Sequence, residues 1–162
     1  MLKFQTSLGD FFVELHTDDA PITSKNFMEY VNSGHFDGTV FHRVIPNFVI
    51  QGGGLTADMK QKKTRAPIKN ESSNGLKNRR GSLSMARTQE ANSATSQFFV
   101  NLKDNAFLDP GPGNAGYAVF AHVMKGLDVV DKIAAVQTGS KGGHEDVPVE
   151  PVVLESVTLV KA

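Results

Sequence analysis

The chain has 162 residues, 40% hydrophobic and 21% charged, which is the size and composition of a globular domain, so we expect one domain over residues 1–162. Lysine plus arginine and aspartate plus glutamate both number 17, so the net charge is zero and gives no support to a polyanion-binding protein. The absence of cysteine excludes disulfides and thiolate chemistry, and no apolar run reaches the length of a membrane span.

The order of elements follows from the spacing of apolar residues and from turn signals. Alternating patterns predict strands near residues 2–6, 11–16, 39–45, 48–52, 82–86, 97–101, 117–123 and 152–160. Helical spacing predicts two helices, over residues 21–33 and 126–136. Residues 53–80 lack a clear period and form a long loop, a feature that is often functional. The pattern predicts a mainly β protein, a closed eight-stranded antiparallel β-barrel capped by two α-helices.

Several partner classes receive little support from the sequence. Two basic runs, at residues 60–65 and 77–80, contain no interleaved aromatic residues, so we interpret them as solvated loops rather than a nucleic-acid surface. The five histidines show no i, i+4 pairing, so we expect no metal site and no cofactor. A strand pattern begins the chain without a basic and apolar leader before it, so we expect a cytoplasmic, monomeric protein without membrane contacts.

The segment at residues 40–54, VFHRVIPNFVIQGGG, is the most informative one. It places Arg43 and Gln51 inside two short apolar runs, where an unpaired buried cation would be costly. An arginine on such a strand either extends to the rim, where it could pair with a carboxylate, or faces a ligand. The run Gly52-Gly53-Gly54 could suggest a phosphate loop, but neither a Lys-Ser/Thr pair nor a helix start follows it.

Two further segments are informative in the same way, GSLSMAR at residues 81–87 and NSATSQFFV at residues 92–100, because they mix polar residues into apolar, strand-like runs. Together the three segments resemble the signature of the cyclophilins, the peptidyl-prolyl cis-trans isomerases, whose first motif reads FHRVI-x-x-F-x-x-QGG. The resemblance continues from about residue 9 to 160 without large gaps, and residues 75–80 together with Phe107 are most similar to the bacterial cytoplasmic branch. It implies isomerase activity on proline-containing polypeptides, without a metal or cofactor.

The resemblance also implies roles for individual residues. Arg43 matches the catalytic arginine, and Gln51 and Gln97 match the polar groups that position it and the substrate backbone. Phe48 belongs to the same catalytic set and forms a wall of the proline pocket. The remaining substrate contacts are expected from His42, Val49, Ala86, Arg87, Phe99, Phe107, Leu108 and Tyr117. Many members have Trp where this chain has Phe107, and that Trp is expected to donate a hydrogen bond to cyclosporin A, so we expect at most weak cyclosporin binding.

The residues left other interpretations open. His42 could act as a general base with Ser82, Ser84 or Ser96 as nucleophile, although no nucleophile elbow is present. Phe98 and Phe99 are adjacent, so they face opposite sides of a strand, and we expect Phe98 in the core. A second function remains possible, a proline-peptide binding or chaperone module without turnover.

Overall fold

A computed structural model describes residues 1–161 and contains eleven β-strands and two α-helices. The strands are β1 (Leu2–Thr6), β2 (Gly9–Leu15), β3 (Thr39–Val40), β4 (Arg43–Ile45), β5 (Val49–Gly52), β6 (Ser82–Met85), β7 (Phe98–Asn101), β8 (Val119–Lys125), β9 (Thr138–Lys141), β10 (His144–Pro148) and β11 (Val153–Leu159). The helices are α1 (Pro21–Asn32) and α2 (Leu127–Ala134), and single 3₁₀ turns cover Ser72–Asn74 and Ala106–Leu108.

Nine strands form one curled antiparallel sheet in the order β3-β11-β1-β2-β8-β6-β7-β5-β4. The two strands at its ends, β3 and β4, are separated in the chain by only Phe41 and His42. The sheet must therefore curl until its two ends come together. The pairing of β3 with β11 continues just beyond β3, where Phe41 N donates to the Val152 carbonyl at 3.0 Å.

This arrangement corrects the predicted barrel. A closed eight-stranded ladder was expected, but within residues 1–161 the sheet has nine strands and β3 does not pair with β4. The predicted strand at 39–45 divides because its first half pairs with β11 and its second half with β5. Sequence reasoning also missed the β9–β10 hairpin, whose first strand is polar and largely exposed and therefore lacks an apolar alternation.

The core fills the concave side of the sheet with aromatic rings. Its centre is a cluster of phenylalanines, Phe4, Phe11, Phe27, Phe36, Phe41, Phe98 and Phe120, each at most 1% exposed. The ring of Phe98 meets several of them edge-on, at 5.6–6.0 Å between centroids. The expectation that Phe98 lies in the core is confirmed, since its neighbour Phe99 belongs to a separate small cluster on the opposite face.

The helices cover the core, and the long loop is attached to one of them. Helix α1 buries Phe27 and Tyr30, and α2 buries Val130 and Ile133. Glu71, in the long loop, accepts hydrogen bonds from Ile22 N, Thr23 N and Thr23 Oγ1, which satisfies free donors at the start of α1. Among residues 1–161, no helix is both long and apolar enough to cross a membrane.

Candidate active site

The convex face of the sheet presents a row of side chains from three neighbouring strands. Arg43 on β4 lies opposite Gln51 on β5, and Gln51 lies opposite Phe99 on β7. Because strand residues alternate between faces, Val49 shares the face of Gln51, while Ile50 points into the core. The strand register therefore brings a cation, an amide and an aromatic ring together on one surface.

A cavity of about 130 Å³ opens over this row. It is lined by Arg43, Phe48, Val49, Gln51, Ala86, Arg87, Phe99, Leu108 and Tyr117. Val49, Phe99 and Leu108 form its buried apolar floor, with Phe48, Ala86 and Tyr117 packed around them. The cavity thus combines apolar walls with a cation at one side. The other three residues expected from the sequence, Gln97, Phe107 and His42, lie outside its lining.

A chain of side-chain hydrogen bonds orients the arginine. Gln97 Oε1 accepts a bond from Gln51 Nε2 at 3.0 Å, and Gln51 Oε1 in turn accepts from Arg43 Nη1 at 3.4 Å. Within residues 1–161 the Arg43 guanidinium forms no ion pair with a carboxylate, so the simple surface-pair interpretation has no support. The guanidinium carbon lies 6.0 Å from the centre of the Phe48 ring. Arg43 is exposed and can still donate to a ligand.

The glycines after Gln51 have a packing role that replaces the phosphate-loop interpretation. A Cβ on Gly54 would lie 2.6 Å from the Gln97 side chain, and one on Gly53 would lie 2.8 Å from the Ser96 carbonyl. Gly53 also has a φ of 93°, a conformation that favours glycine. The glycines therefore allow Gln97 to approach closely enough to bind Gln51.

Aromatic side chains extend the cavity on two sides. Phe107 is 64% exposed and stacks on Phe48, with ring centroids 5.6 Å apart and planes at 20°. On the other side the Arg87 guanidinium lies 4.4 Å from the centre of the Tyr117 ring. Its Nε and Nη2 donate to the Gly116 carbonyl, and Nη1 donates to the Thr88 carbonyl. Arg87 is thus anchored at the rim, and it also lines an adjoining cavity of about 340 Å³.

His42 is buried, with 6% of its surface exposed. Burial, followed by the neighbouring His144 and Arg43, lowers its pKa from 6.5 to about 4, so the ring is neutral at physiological pH. The three candidate serines donate to other acceptors instead, Ser82 Oγ to the Arg79 carbonyl, Ser84 Oγ to Asn78 Oδ1 and Ser96 Oγ to the Gly53 carbonyl. No serine–histidine pair is therefore present among these residues, which removes the support for nucleophilic catalysis.

A buried amide network that sequence reasoning missed supports the cavity walls. Asn105 Nδ2 donates to the Phe48 carbonyl at 3.0 Å and to Asn101 Oδ1 at 2.9 Å. Asn101 Nδ2 donates to Asn78 Oδ1, and Asn78 Nδ2 donates to the Tyr117 carbonyl. The network therefore connects the segments that carry Phe48 and Tyr117. The available signal was Asn101 itself, since a polar amide in the apolar run FFVN needs buried partners.

Comparison with known proteins places this chain in a family. The sequence profile described as cyclophilin type peptidyl-prolyl cis-trans isomerase/CLD matches residues 1–159. Peptidyl-prolyl cis-trans isomerase B of Escherichia coli (strain K12) is 54% identical over 162 residues, covering 98% of this chain and 99% of that protein. Peptidyl-prolyl cis-trans isomerase A of Dickeya dadantii (strain 3937) is 55% identical over 156 residues, covering 96% of this chain and 82% of that protein.

A solved structure shares the fold. It is a cyclophilin-type peptidyl-prolyl cis-trans isomerase of Cryptosporidium parvum, crystallised in the presence of the dipeptide Ala-Pro. It superposes with a TM-score of 0.81 at 25% identity and covers 99% of both chains. With a mainly β fold, two helices and a family match along nearly its whole length, this chain belongs to the cyclophilin-type peptidyl-prolyl cis-trans isomerases.

Proposed function

We propose that this protein accelerates the cis-trans rotation of X-Pro bonds in polypeptides, with the proline ring in the apolar cavity and Arg43 donating a hydrogen bond to the prolyl nitrogen. The observation that carries this proposal is Arg43 itself, a guanidinium beside an apolar floor, hydrogen-bonded to an amide rather than neutralised by a carboxylate. The cavity contains the wall residues Phe48, Phe99 and Leu108 on which the proposed fit of a proline ring rests.

Catalysis of this rotation requires only a cationic hydrogen-bond donor such as Arg43. Rotation about the amide bond must overcome a barrier of about 18–20 kcal/mol that comes from resonance. In the twisted state the lone pair returns to the prolyl nitrogen, so a cation that donates to this nitrogen stabilises the twisted state more than the planar one. Arginine remains protonated at any working pH, and its planar fork is held by Gln51. Neither a nucleophile nor a metal is needed.

The required rate enhancement is compatible with this site. Uncatalysed isomerisation takes tens of seconds, and roughly a thousand turnovers per second would need a barrier lower by about 7 kcal/mol. One charge-assisted hydrogen bond in a preorganised site supplies about 3–4 kcal/mol. The apolar walls, by favouring a twisted prolyl ring, would supply the remainder. The adjoining cavity, which shares Gln51, Ala86 and Arg87, offers room for the chain next to the proline.

Removal of the guanidinium tests the proposal. In a protease-coupled assay on an X-Pro peptide, we expect Arg43→Ala to lower kcat/KM by about two to three decades. Arg43→Lys should also be poor, because a point charge cannot keep the fork geometry. Arg79→Ala, which removes an exposed arginine elsewhere, is the matched control and should leave the rate unchanged. Near-native turnover in Arg43→Ala would show that this arginine is only structural.

The same variant separates the isomerase from a binding or chaperone module. If Arg43→Ala keeps its affinity for the peptide but loses turnover, the arginine acts on the rotating bond. If native protein and variant both bind X-Pro peptides and neither accelerates rotation, the binding module is the better description. A single domain over residues 1–162, a monomeric state and a cytoplasmic location also stay predictions, which limited proteolysis, size-exclusion chromatography and cell fractionation would test.

A further inference from the structure

A pair of histidines lies on the surface formed by β2 and β8, away from the proline cavity. Glu14 on β2 is the cross-strand partner of His122 on β8. His16 follows the end of β2, and its backbone N–H donates to the Phe120 carbonyl at 2.8 Å, so the strand pairing continues to this residue. Residues 14 and 16 therefore share a face of the sheet, and His16 becomes a diagonal neighbour of His122.

The two imidazole rings meet through their nitrogens. His16 Nε2 lies 2.9 Å from His122 Nδ1, the ring centroids are 4.7 Å apart and the planes differ by 20°. The other nitrogen of His122, Nε2, lies 3.9 Å from Glu14 Oε2. The carboxylate favours a proton on that outer nitrogen, which leaves the lone pair of His122 Nδ1 directed toward His16.

We propose that His16 and His122 form a binding site for a divalent late transition-metal ion of the Ni²⁺ or Cu²⁺ type. His16 Nε2 and His122 Nδ1 are the two protein ligands, and water fills the remaining positions. Glu14 lies behind His122, 3.9 Å from its Nε2, on the side where a carboxylate commonly supports a metal-binding histidine.

The spacing of the nitrogens fits this class of ion. Two metal–nitrogen bonds of about 2.0 Å that meet at a right angle, as in square-planar or octahedral coordination, place their nitrogens about 2.8 Å apart. Two tetrahedral positions, which zinc prefers, place them about 3.3 Å apart. The observed separation of 2.9 Å, at which the two nitrogens share a hydrogen bond, is closer to the right-angle value than to the tetrahedral one. The bound ion replaces the hydrogen bond that the two nitrogens otherwise share.

The protonation and charge of the surroundings favour a cation. Burial, followed by the neighbouring His122, lowers the pKa of His16, while Asp19 and Glu14 act in the opposite direction. A neutral His16 is ready to bind once its N–H moves from Nε2 to Nδ1, so this change releases no net proton. The same two carboxylates place negative charge beside the site.

This site differs from a closed metal cage. Among residues 1–161, no group of three or more His, Cys, Asp or Glu side chains is arranged to hold a metal. The two histidines are 106 positions apart, so their spacing gave no signal in the sequence. With two protein ligands the ion should exchange readily with the medium, and binding should leave the proline cavity unoccupied.

Calorimetric titration of the untagged protein with NiCl₂ tests the site. The native chain should bind one Ni²⁺, and His16→Gln or His122→Gln should each weaken binding by more than about tenfold, the scale seen for the loss of a supporting residue at a metal site. The matched control is His144→Gln, which removes an exposed histidine elsewhere and should bind like the native chain. Equal Ni²⁺ affinity in the native chain and in either ligand variant would overturn the proposal.

A measurement on the native protein avoids dependence on the folding of variants. Substoichiometric Cu²⁺ is paramagnetic and broadens the NMR signals of nearby nuclei. We expect the ring signals of His16 and His122 to disappear first, while those of His144 and His35 remain. Broadening that begins at His144, or that affects all five histidines equally, would mean that the ion binds without this pair.

Discussion

The burial of His42 predicts a specific loss of stability in acid. Its pKa is lowered to about 4, chiefly by burial and further by His144 and Arg43, whereas the unfolded chain should titrate near 6.5. Within residues 1–161 its Nδ1 atom is buried without a hydrogen-bond partner, so a proton placed there would have no acceptor. Between pH 6.5 and 4 the unfolded state therefore binds the proton more readily than the folded state does.

The sign and size of the effect follow from linkage. The contribution of His42 to stability is present above pH 6.5 and is lost as the pH falls toward 4. The full difference in pKa corresponds to about 3 kcal/mol, and about 2 kcal/mol of it should already be lost at pH 5. Catalysis, in contrast, should be flat between about pH 6 and 9, because His42 stays neutral there and an arginine side chain is not deprotonated in proteins.

Urea unfolding at pH 7.5 and pH 5.0 measures this contribution. Between these two pH values the free energy of unfolding of the native chain should fall by about 2 kcal/mol more than that of His42→Gln, since glutamine does not titrate. Other groups contribute to acid sensitivity in both proteins, and the comparison removes them. Equal losses in the two proteins would refute the assigned pKa. A bell-shaped pH–rate profile would instead indicate a histidine in the reaction.

Two substitutions near the cavity have distinct expected outcomes. Phe107 offers a stacked ring but no donor, so we expect cyclosporin A affinity at least about tenfold weaker than in relatives with Trp, which corresponds to one lost hydrogen bond. Phe107→Trp should recover part of that affinity in a fluorescence titration with little change in turnover, and tight binding by the native chain would contradict this. Asn105→Ala leaves the buried Asn101 Oδ1 without its Asn105 donor and removes one hydrogen bond to the Phe48 carbonyl. It should cost about 1–3 kcal/mol in urea unfolding and lower kcat/KM in the folded protein, and unchanged values would show that the amide network does not support the pocket.

Much of the candidate site could be predicted from the sequence because its residues lie in short, contiguous motifs. Arg43, Phe48 and Gln51 come from one segment, and strand alternation places Gln51 and Val49 on one face. What could not be predicted depends on contacts between distant segments. The Asn105–Asn101–Asn78 network joins the segment of Asn101 and Asn105 to Asn78, 23 positions before Asn101, and an amide in a strand does not reveal its partner.

The fold was predicted where apolar alternation was strong. The hairpin of β1 and β2 and the strands β6, β7 and β8 fall near their expected positions. The boundary between β3 and β4 could not be seen, because residues 39–45 keep a strand-like composition while their pairing partner changes. The β9–β10 hairpin was missed because its stability comes from backbone pairing rather than from an apolar face.

The position of β11 has a consequence for synthesis on the ribosome. This strand lies between β1 and β3, so until it is made β3 has no strand partner and β1 has none on the side away from β2. β11 also supplies Leu154 and Val157 to the core. Until Val153–Leu159 have been made, the growing chain therefore carries open strand edges, and such edges promote association with other chains. Pairing between residues as distant as Leu2 and Leu159 also belongs to the slow class of folding events, which prolongs the exposure of these edges.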